Sequence, residues 1–256
     1  MKAIGIIPAR LGATRYPNKP MALIHGMPMV GHCYHRTRLT PGLAGVYVAT
    51  CDSEVADYVR SIGGFAIMTS VNHTRATTRT AEAMEHIEAD TGEQADVVMM
   101  VQGDEPLILP ETMAETLKYF SDPSVEIVNV MSRLRTYDQF VDKNNVKVVV
   151  NQNNDALYFS REPIPSPWRG LEDVPMYMQT GIIAFRRGTL LRFNQMEETR
   201  LEQIESVDMN RVLETGGRIR MVLTERITIG VDTPQELKDA EKLMNDDPTL
   251  ARYLTQ

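Results

Sequence analysis

The stretch Ile7-Pro8-Ala9-Arg10-Leu11-Gly12-Ala13-Thr14-Arg15-Tyr16-Pro17-Asn18-Lys19-Pro20 sets three cations around a turn of small residues. It continues the apolar run 3–8, which reads as a buried strand, so Arg10, Arg15 and Lys19 sit on the loop leaving that strand's carboxyl end. Ligands of parallel sheets bind at that edge. Backbone N–H groups beside fixed cations suit a polyphosphate. The competing reading is an ordinary basic loop. The segment is neither a Walker loop nor a GxGxxG turn, because the glycines are missing.

Two aspartates follow further apolar runs. Asp104 lies in Val101-Gln102-Gly103-Asp104-Glu105-Pro106, after residues 96–101, and Asp232 lies in Gly230-Val231-Asp232-Thr233-Pro234, after residues 227–231. If both runs are strands of one parallel sheet, the carboxylates converge on the edge that carries the basic loop. Magnesium takes one or two protein carboxylates and completes its octahedron with phosphate oxygens and water, so Asp104 and Asp232 are candidate ligands for Mg2+. Asp232 could instead cap a helix. However, Thr233-Pro234-Gln235-Glu236 already fits a capping box with proline at the first helical position. For Asp104 the pattern alone leaves a plain turn carboxylate nearly as good.

The elements that must hold these residues alternate. Runs at 3–8, 46–50, 65–68 and 96–101 read as strands, and 28–40, 53–62, 77–90 and 111–120 as helices. Strict alternation predicts an α/β fold, a mostly parallel sheet with helices on both faces. The second half is richer in strand, with a β-rich excursion over about 125–190. After it come a helix at 200–214, strands at 218–224 and 227–231, and a last helix from Pro234 to Asn245. No linker or repeat interrupts the pattern, so residues 1–256 read as a single domain.

Composition narrows the partners. The chain has 256 residues, 43% hydrophobic and 24% charged, and a net charge of −7. Residues 1–51 hold Lys2, Arg10, Arg15, Lys19, Arg36 and Arg38 and no carboxylate, which all lie from Asp52 onward. A basic start on an acidic chain suits a small anion rather than a nucleic acid. No apolar run approaches the ~20 residues of a membrane span. The opening reads as a strand rather than a signal peptide, and Cys33 and Cys51 lack metal or redox spacing. These features predict a cytoplasmic protein with no membrane insertion.

The runs IPARLGATRYPNKP, VQGDEP, NVKVVV, ALYFSR and GVDTP occur in the order and at the spacing of CMP-KDO synthetases, and the resemblance to that family extends from residue 2 to about 244. It implies a Rossmann-like nucleotidyltransferase, a homodimer with its contact on the β-rich excursion, that uses CTP and Mg2+ to activate a small acidic sugar for lipopolysaccharide biosynthesis. By the same resemblance Arg10, Arg15 and Lys19 hold the triphosphate, and Ala9, Gly12, Thr77 and Arg79 complete the nucleotide site. Asp104 and Asp232 hold the metal, with Lys19, Arg10 and Asp104 the catalytic set. Gln102 and Arg161 face the acceptor. Such a transfer relies on positioning and electrostatics, and the chain carries no Ser-His-Asp or Cys-His pattern.

Departures from the family pattern cluster. DHxSGTERxAE becomes residues 72–82 with Arg75-Ala76 in place of Ser-Gly and Thr78 in place of an acid. HLGIYGYR becomes residues 179–186, so a histidine and two tyrosines are Gln179, Ile183 and Phe185. LEQLR becomes Val207-Asp208-Met209-Asn210-Arg211, and the aspartate after VAT is Cys51. Alternate strand residues share a face, so Gln179, Ile183 and Phe185 are expected to line the acceptor pocket together. The acceptor stays open between KDO, a modified octulosonate and another small acid such as a phosphonate or a different ulosonic acid. A nucleotide-binding protein without catalysis is a second reading. A dehydrogenase is disfavoured by the missing GxGxxG.

Overall fold

The computed structural model describes residues 1–12, 16–225 and 229–254. The strand β1 (Ala3–Pro8) is buried at every position, as its unbroken apolar sequence requires. A short hairpin of β2 (Leu23–Ile24) and β3 (Met27–Pro28) leads into helix α1 (Met29–Arg38). Then β4 (Leu43–Thr50), α2 (Ser53–Ser61), β5 (Phe65–Met68), α3 (Ala76–Thr91), β6 (Val97–Val101) and α4 (Pro110–Lys118) alternate as expected. The second half runs β7 (Ile127–Arg133), α5 (Tyr137–Val141), β8 (Lys147–Val150), β9 (Ala156–Ser160), β10 (Tyr177–Arg186) and α6 (Arg187–Gln195). It ends with α7 (Arg200–Glu205), α8 (Met209–Glu214), β11 (Arg220–Thr224), α9 (Pro234–Met244) and α10 (Pro248–Leu254).

The main sheet has the order β11-β7-β10-β6-β1-β4-β5. Neighbours are parallel except where β10 lies antiparallel between β6 and β7. Side-chain alternation sends the two faces of each strand into separate cores. Val98 and Met100 of β6, with Ile183 and Phe185 of β10, pack under α3 and α6. Val97, Met99 and Val101, with Ile182 and Ala184, pack under α1, α2 and α4. Both faces are therefore covered, and each fully buried aliphatic or aromatic side chain contributes about 1.5–3 kcal/mol.

Several expectations are corrected. The excursion over 125–190 is smaller than its sequence suggests, because β7 and β10 join the main sheet. What stands apart is the β8–β9 hairpin, which meets β10 at Met178 and Lys147. The helix expected at 200–214 breaks in two at Ser206, whose φ of 53° no continuous helix allows. Of the strand expected at 227–231, residues 227 and 228 lie outside the described residues, and 229–231 form no strand. No helix among the described residues is long and apolar enough to cross a membrane.

The end of the chain, which the sequence pattern does not announce, is clamped onto α1. His32 is fully buried, its Nε2–H donating to the Ile24 carbonyl at 2.8 Å and its Nδ1 accepting from the Tyr253 hydroxyl at 2.8 Å. Tyr253 Oη in turn accepts from Arg36 Nε at 3.1 Å, and Arg36 pairs with Asp247 at 2.5 Å. Both ring nitrogens are thus partnered in the neutral imidazole, and burial pushes its pKa down to about 4. The unfolded chain takes up a proton near pH 6.5 and the native chain near 4, so stability falls as pH drops through that window. Wild-type protein should lose roughly 3 kcal/mol there that His32→Gln does not lose. Urea unfolding at pH 7, 5.5 and 4.5 measures the difference, and equal pH slopes would remove this role from His32.

Candidate active site

The carboxyl ends of β1 and β6 lie side by side, and their loops come close because one residue has no side chain. A Cβ on Gly103 would stand 3.1 Å from the Pro8 carbonyl oxygen. Antiparallel β10 delivers its first half to the same edge: Gln102 N–H donates to the Gly181 carbonyl at 3.0 Å, and Gly181 N–H to Glu105 Oε1 at 2.5 Å. A Cβ on Gly181 would fall 2.6 Å from Gln102 Cβ, so glycine is needed there too. Burial, reinforced by the Asp104 charge, pushes the Glu105 carboxyl up to about 8.

The basic loop is tied down where it leaves β1. Leu11 N–H donates to Asp52 Oδ2 at 2.8 Å, and Asn18 N–H closes the turn onto the Leu11 carbonyl at 3.2 Å. Lys19 begins a 3-10 turn whose Pro20 is buried, which fixes the lysine stem. Its ammonium bridges Asp104 Oδ2 at 2.6 Å and Asp232 Oδ1 at 2.9 Å. Burial alone would lower the lysine's pKa, but the two carboxylates outweigh it and hold the ammonium above its ordinary value.

Asp232 arrives by a different route from the one its sequence suggests. Residues 229–231, directly before it, form no strand; instead Val231 N–H donates to the Asp104 carbonyl at 2.9 Å, pinning one loop to the other. Thr233 caps α9 by accepting from Glu236 N–H at 3.2 Å, and Glu236 reaches back to Asp232 N–H at 2.8 Å. The cap is complete without the Asp232 carboxylate, which turns to Lys19.

Two clefts meet at this point. The first, about 290 Å³, is lined by Pro8, Ala9, Arg10, Lys19, His73 and Arg79. Arg79 is 3% exposed; its Nη1 donates to Thr69, while its Nη2 is buried without a partner. The second, about 300 Å³, is lined by Arg161, Gln179, Ile183 and Asp208 among others. Thr74, Arg75, Ala76, Gln102, Asp104 and Asp232 line both.

Other expected residues are placed elsewhere. Thr77 is buried and spends its hydroxyl on Asp208 Oδ2 at 3.2 Å rather than lining the first cleft. Gly12 is exposed at the loop margin, where an added methyl group would meet nothing within 4 Å. Arg15 lies outside the described residues. Phe185 is fully buried against Phe193 in the core and lines neither cleft. It follows Ile183 on the same strand face, but two residues further from the edge. Arg161 lines the second cleft with its guanidinium already committed: Nε donates to the Glu205 carbonyl at 2.7 Å, Nη1 to the Lys143 carbonyl at 2.8 Å and Nη2 to that of Ser206 at 3.4 Å. Buried Lys147 likewise donates to the carbonyls of Asp142, Asn145 and Arg161 and locks that turn.

Sequence reasoning missed His73, Glu105 and Asp208 as site residues. His73 hydrogen-bonds Thr78 and pairs with Glu82, whose spacing along one helical face was the available signal. The metal fit follows from the donor set. Two aspartate oxygens face one ammonium, and no group of three or more His, Cys, Asp or Glu among the described residues could cage an ion. That set suits a hard cation that draws its remaining ligands from phosphate and water.

The chain resembles known proteins along nearly its whole length. The cytidylyltransferase family model matches residues 4–227. The 3-deoxy-manno-octulosonate cytidylyltransferase of Geobacter metallireducens is 42% identical over 95% of this chain and 98% of its own length. The protein of that name from Parabacteroides distasonis is 38% identical over 94% of this chain and 97% of its own. A solved CMP:2-keto-3-deoxy-manno-octonic acid synthetase complexed with CTP superposes with a TM-score of 0.87 at 38% identity, covering 96% of this chain and 99% of that one. A putative glucose-1-phosphate thymidylyltransferase from Bacillus anthracis, 16% identical with a TM-score of 0.68 over 96% of each chain, shares the fold alone. Matched along nearly its whole length by sequence and by structure, the chain belongs to the cytidylyltransferase family.

Proposed function

We propose that this protein transfers CMP from CTP to 3-deoxy-manno-octulosonate or a close acidic variant of it, releasing pyrophosphate. The observation that carries the reading is the meeting of Lys19, Asp104 and Asp232 where the two clefts join. The first cleft takes the nucleotide. Arg10 and Lys19 face the phosphates, and the unpartnered Nη2 of Arg79 offers a donor to the acceptor atoms of a cytosine ring. The second cleft takes the acceptor. Its hydroxyl attacks the α-phosphorus as the bond to the β-phosphate breaks, and the hydroxyl proton passes to solvent.

Asp104 and Asp232 would hold Mg2+, which when bound neutralises charge gathering on the phosphates. Lys19 adds a fixed cation beside them, oriented before substrate arrives by its two carboxylate partners. The Gln102 side chain lies in both clefts and can orient the acceptor against the nucleotide. The departures from the family pattern favour a variant acceptor over drift, because Arg75, Ala76, Gln179, Ile183 and Asp208 all line the second cleft. A site that swaps hydrogen-bonding groups changes which hydroxyl pattern it accepts.

Activation at the expense of CTP points to the cytoplasm. A homodimer would bury apolar side chains left exposed in the 125–190 segment, Leu157 at 58% exposure and Trp168 at 87%. Light scattering should then give twice the chain mass, with Trp168→Glu shifting the population toward monomer; a monomeric wild type at assay concentration would rule the dimer out.

Pyrophosphate release from CTP with KDO and related acids tests the activity. Turnover should require both CTP and an acid, and Lys19→Met should lower kcat/KM for CTP by roughly 10²-fold or more without unfolding the protein. Unchanged CTP kinetics in that variant would refute the role given to Lys19. No CTP-dependent release with any acid would leave a nucleotide-binding protein.

A further inference from the structure

The acceptor is an acid, and the second cleft is lined by the acidic side chains of Asp104, Glu105, Asp208, Asp232 and Glu236. A carboxylate entering it needs a cation. Among the described residues, the cationic side chains lining it are Arg75 and Arg161. Arg161 is knitted to three backbone carbonyls, which makes it part of the wall. Lys19, at the junction, is balanced by two aspartates.

Arg75 is held differently. Its guanidinium stands 3.5 Å from Glu198, a carboxylate 46% exposed, and 3.8 Å from Glu202. Glu202 is already gripped by Arg211 through both oxygens, at 2.7 and 2.6 Å. Arg75 therefore gives up little by turning away from Glu198, since an exposed pair of this kind contributes about 0.2–1 kcal/mol. Its side chain is 27% exposed and lines both clefts. It is also the N-cap residue of α3, a 16-residue helix with no acid in its first turn, so the helix dipole adds positive potential at the same place. The sequence carries this arginine where the family pattern has the serine of Ser-Gly.

We propose that Arg75, not Arg161, grips the acid group of the acceptor with two parallel hydrogen bonds and so selects an acid at the junction of the clefts. The inference rests on the proposed cytidylyl transfer. Arg75 would then be a specificity-determining side chain particular to this chain, while Arg161 ties the end of β9 to the backbones at Lys143 and at 205–206.

Steady-state kinetics with CTP and either KDO or its methyl ester tests the assignment. Wild-type enzyme should prefer the acid to the ester. Arg75→Ala should raise the KM for KDO at least tenfold, leave the KM for CTP within about twofold, and lose most of the preference for the acid. Arg75→Lys, which keeps the charge and loses the fork, should fall between. Arg161→Ala should lower Tm while retaining the acid preference. An unchanged KDO KM in a folded Arg75→Ala, or loss of acid preference in Arg161→Ala alone, overturns this inference and leaves the cytidylyl transfer standing. Absence of turnover in the wild type overturns both.

Discussion

One ammonium group holds two distant parts of the chain in register. Lys19 meets Asp104 across 85 residues of sequence and Asp232 across 213, and only the folded sheet brings the three together. The contact is partly buried, with side-chain exposures of 12%, 25% and 27%, so neither charge sign can be removed without leaving the other under-compensated. The backbone supports the side chains: Val231 N–H on the Asp104 carbonyl keeps the 229–233 segment beside the β6 loop whatever the side chains do. The functional edge is thus built before any ligand arrives, which is what electrostatic catalysis requires.

Everything around that contact serves to present it. The two-faced core fixes the ends of β1 and β6, and two glycines allow the close approach on which the edge depends. Antiparallel β10 then completes the second cleft from the far side of β6. Of the altered positions, Arg75 and Ala76 line both clefts, while Gln179, Ile183 and Asp208 line the second alone. Residues 75–76, 179–183 and 207–208 are far apart in the chain, so their convergence on one surface is a structural observation that no single run discloses.

The parts of the fold legible in the sequence are those where one local signal decides. Unbroken apolar runs give β1 and β6, and the Thr233-Pro234 cap forms without the Asp232 carboxylate, as its spacing suggests. What escapes are features set by partners remote in sequence. Ser206 breaks an otherwise periodic helix because a left-handed residue leaves no mark in the hydrophobic pattern. Arg161 is identified by its run, yet what its guanidinium meets comes from residues 18 and 44 positions away. Phe185 shares a face with Ile183 as alternation predicts, but depth along the strand separates cleft from core, and alternation carries no depth. His32 hides for the same reason: its partners Ile24 and Tyr253 lie on opposite sides of it in the chain.

In the proposed reaction Asp104 and Asp232 act as one centre for a divalent cation and the CTP phosphates. Manganese binding, followed by electron paramagnetic resonance on the intact protein with and without CTP, addresses this most directly. One Mn2+ per chain should bind tightly in the presence of CTP, and Asp104→Asn and Asp232→Asn should each weaken it at least tenfold while circular dichroism stays unchanged. Tight CTP-dependent binding that survives Asp232→Asn would contradict the shared centre and leave Lys19 bridging two carboxylates for stability alone.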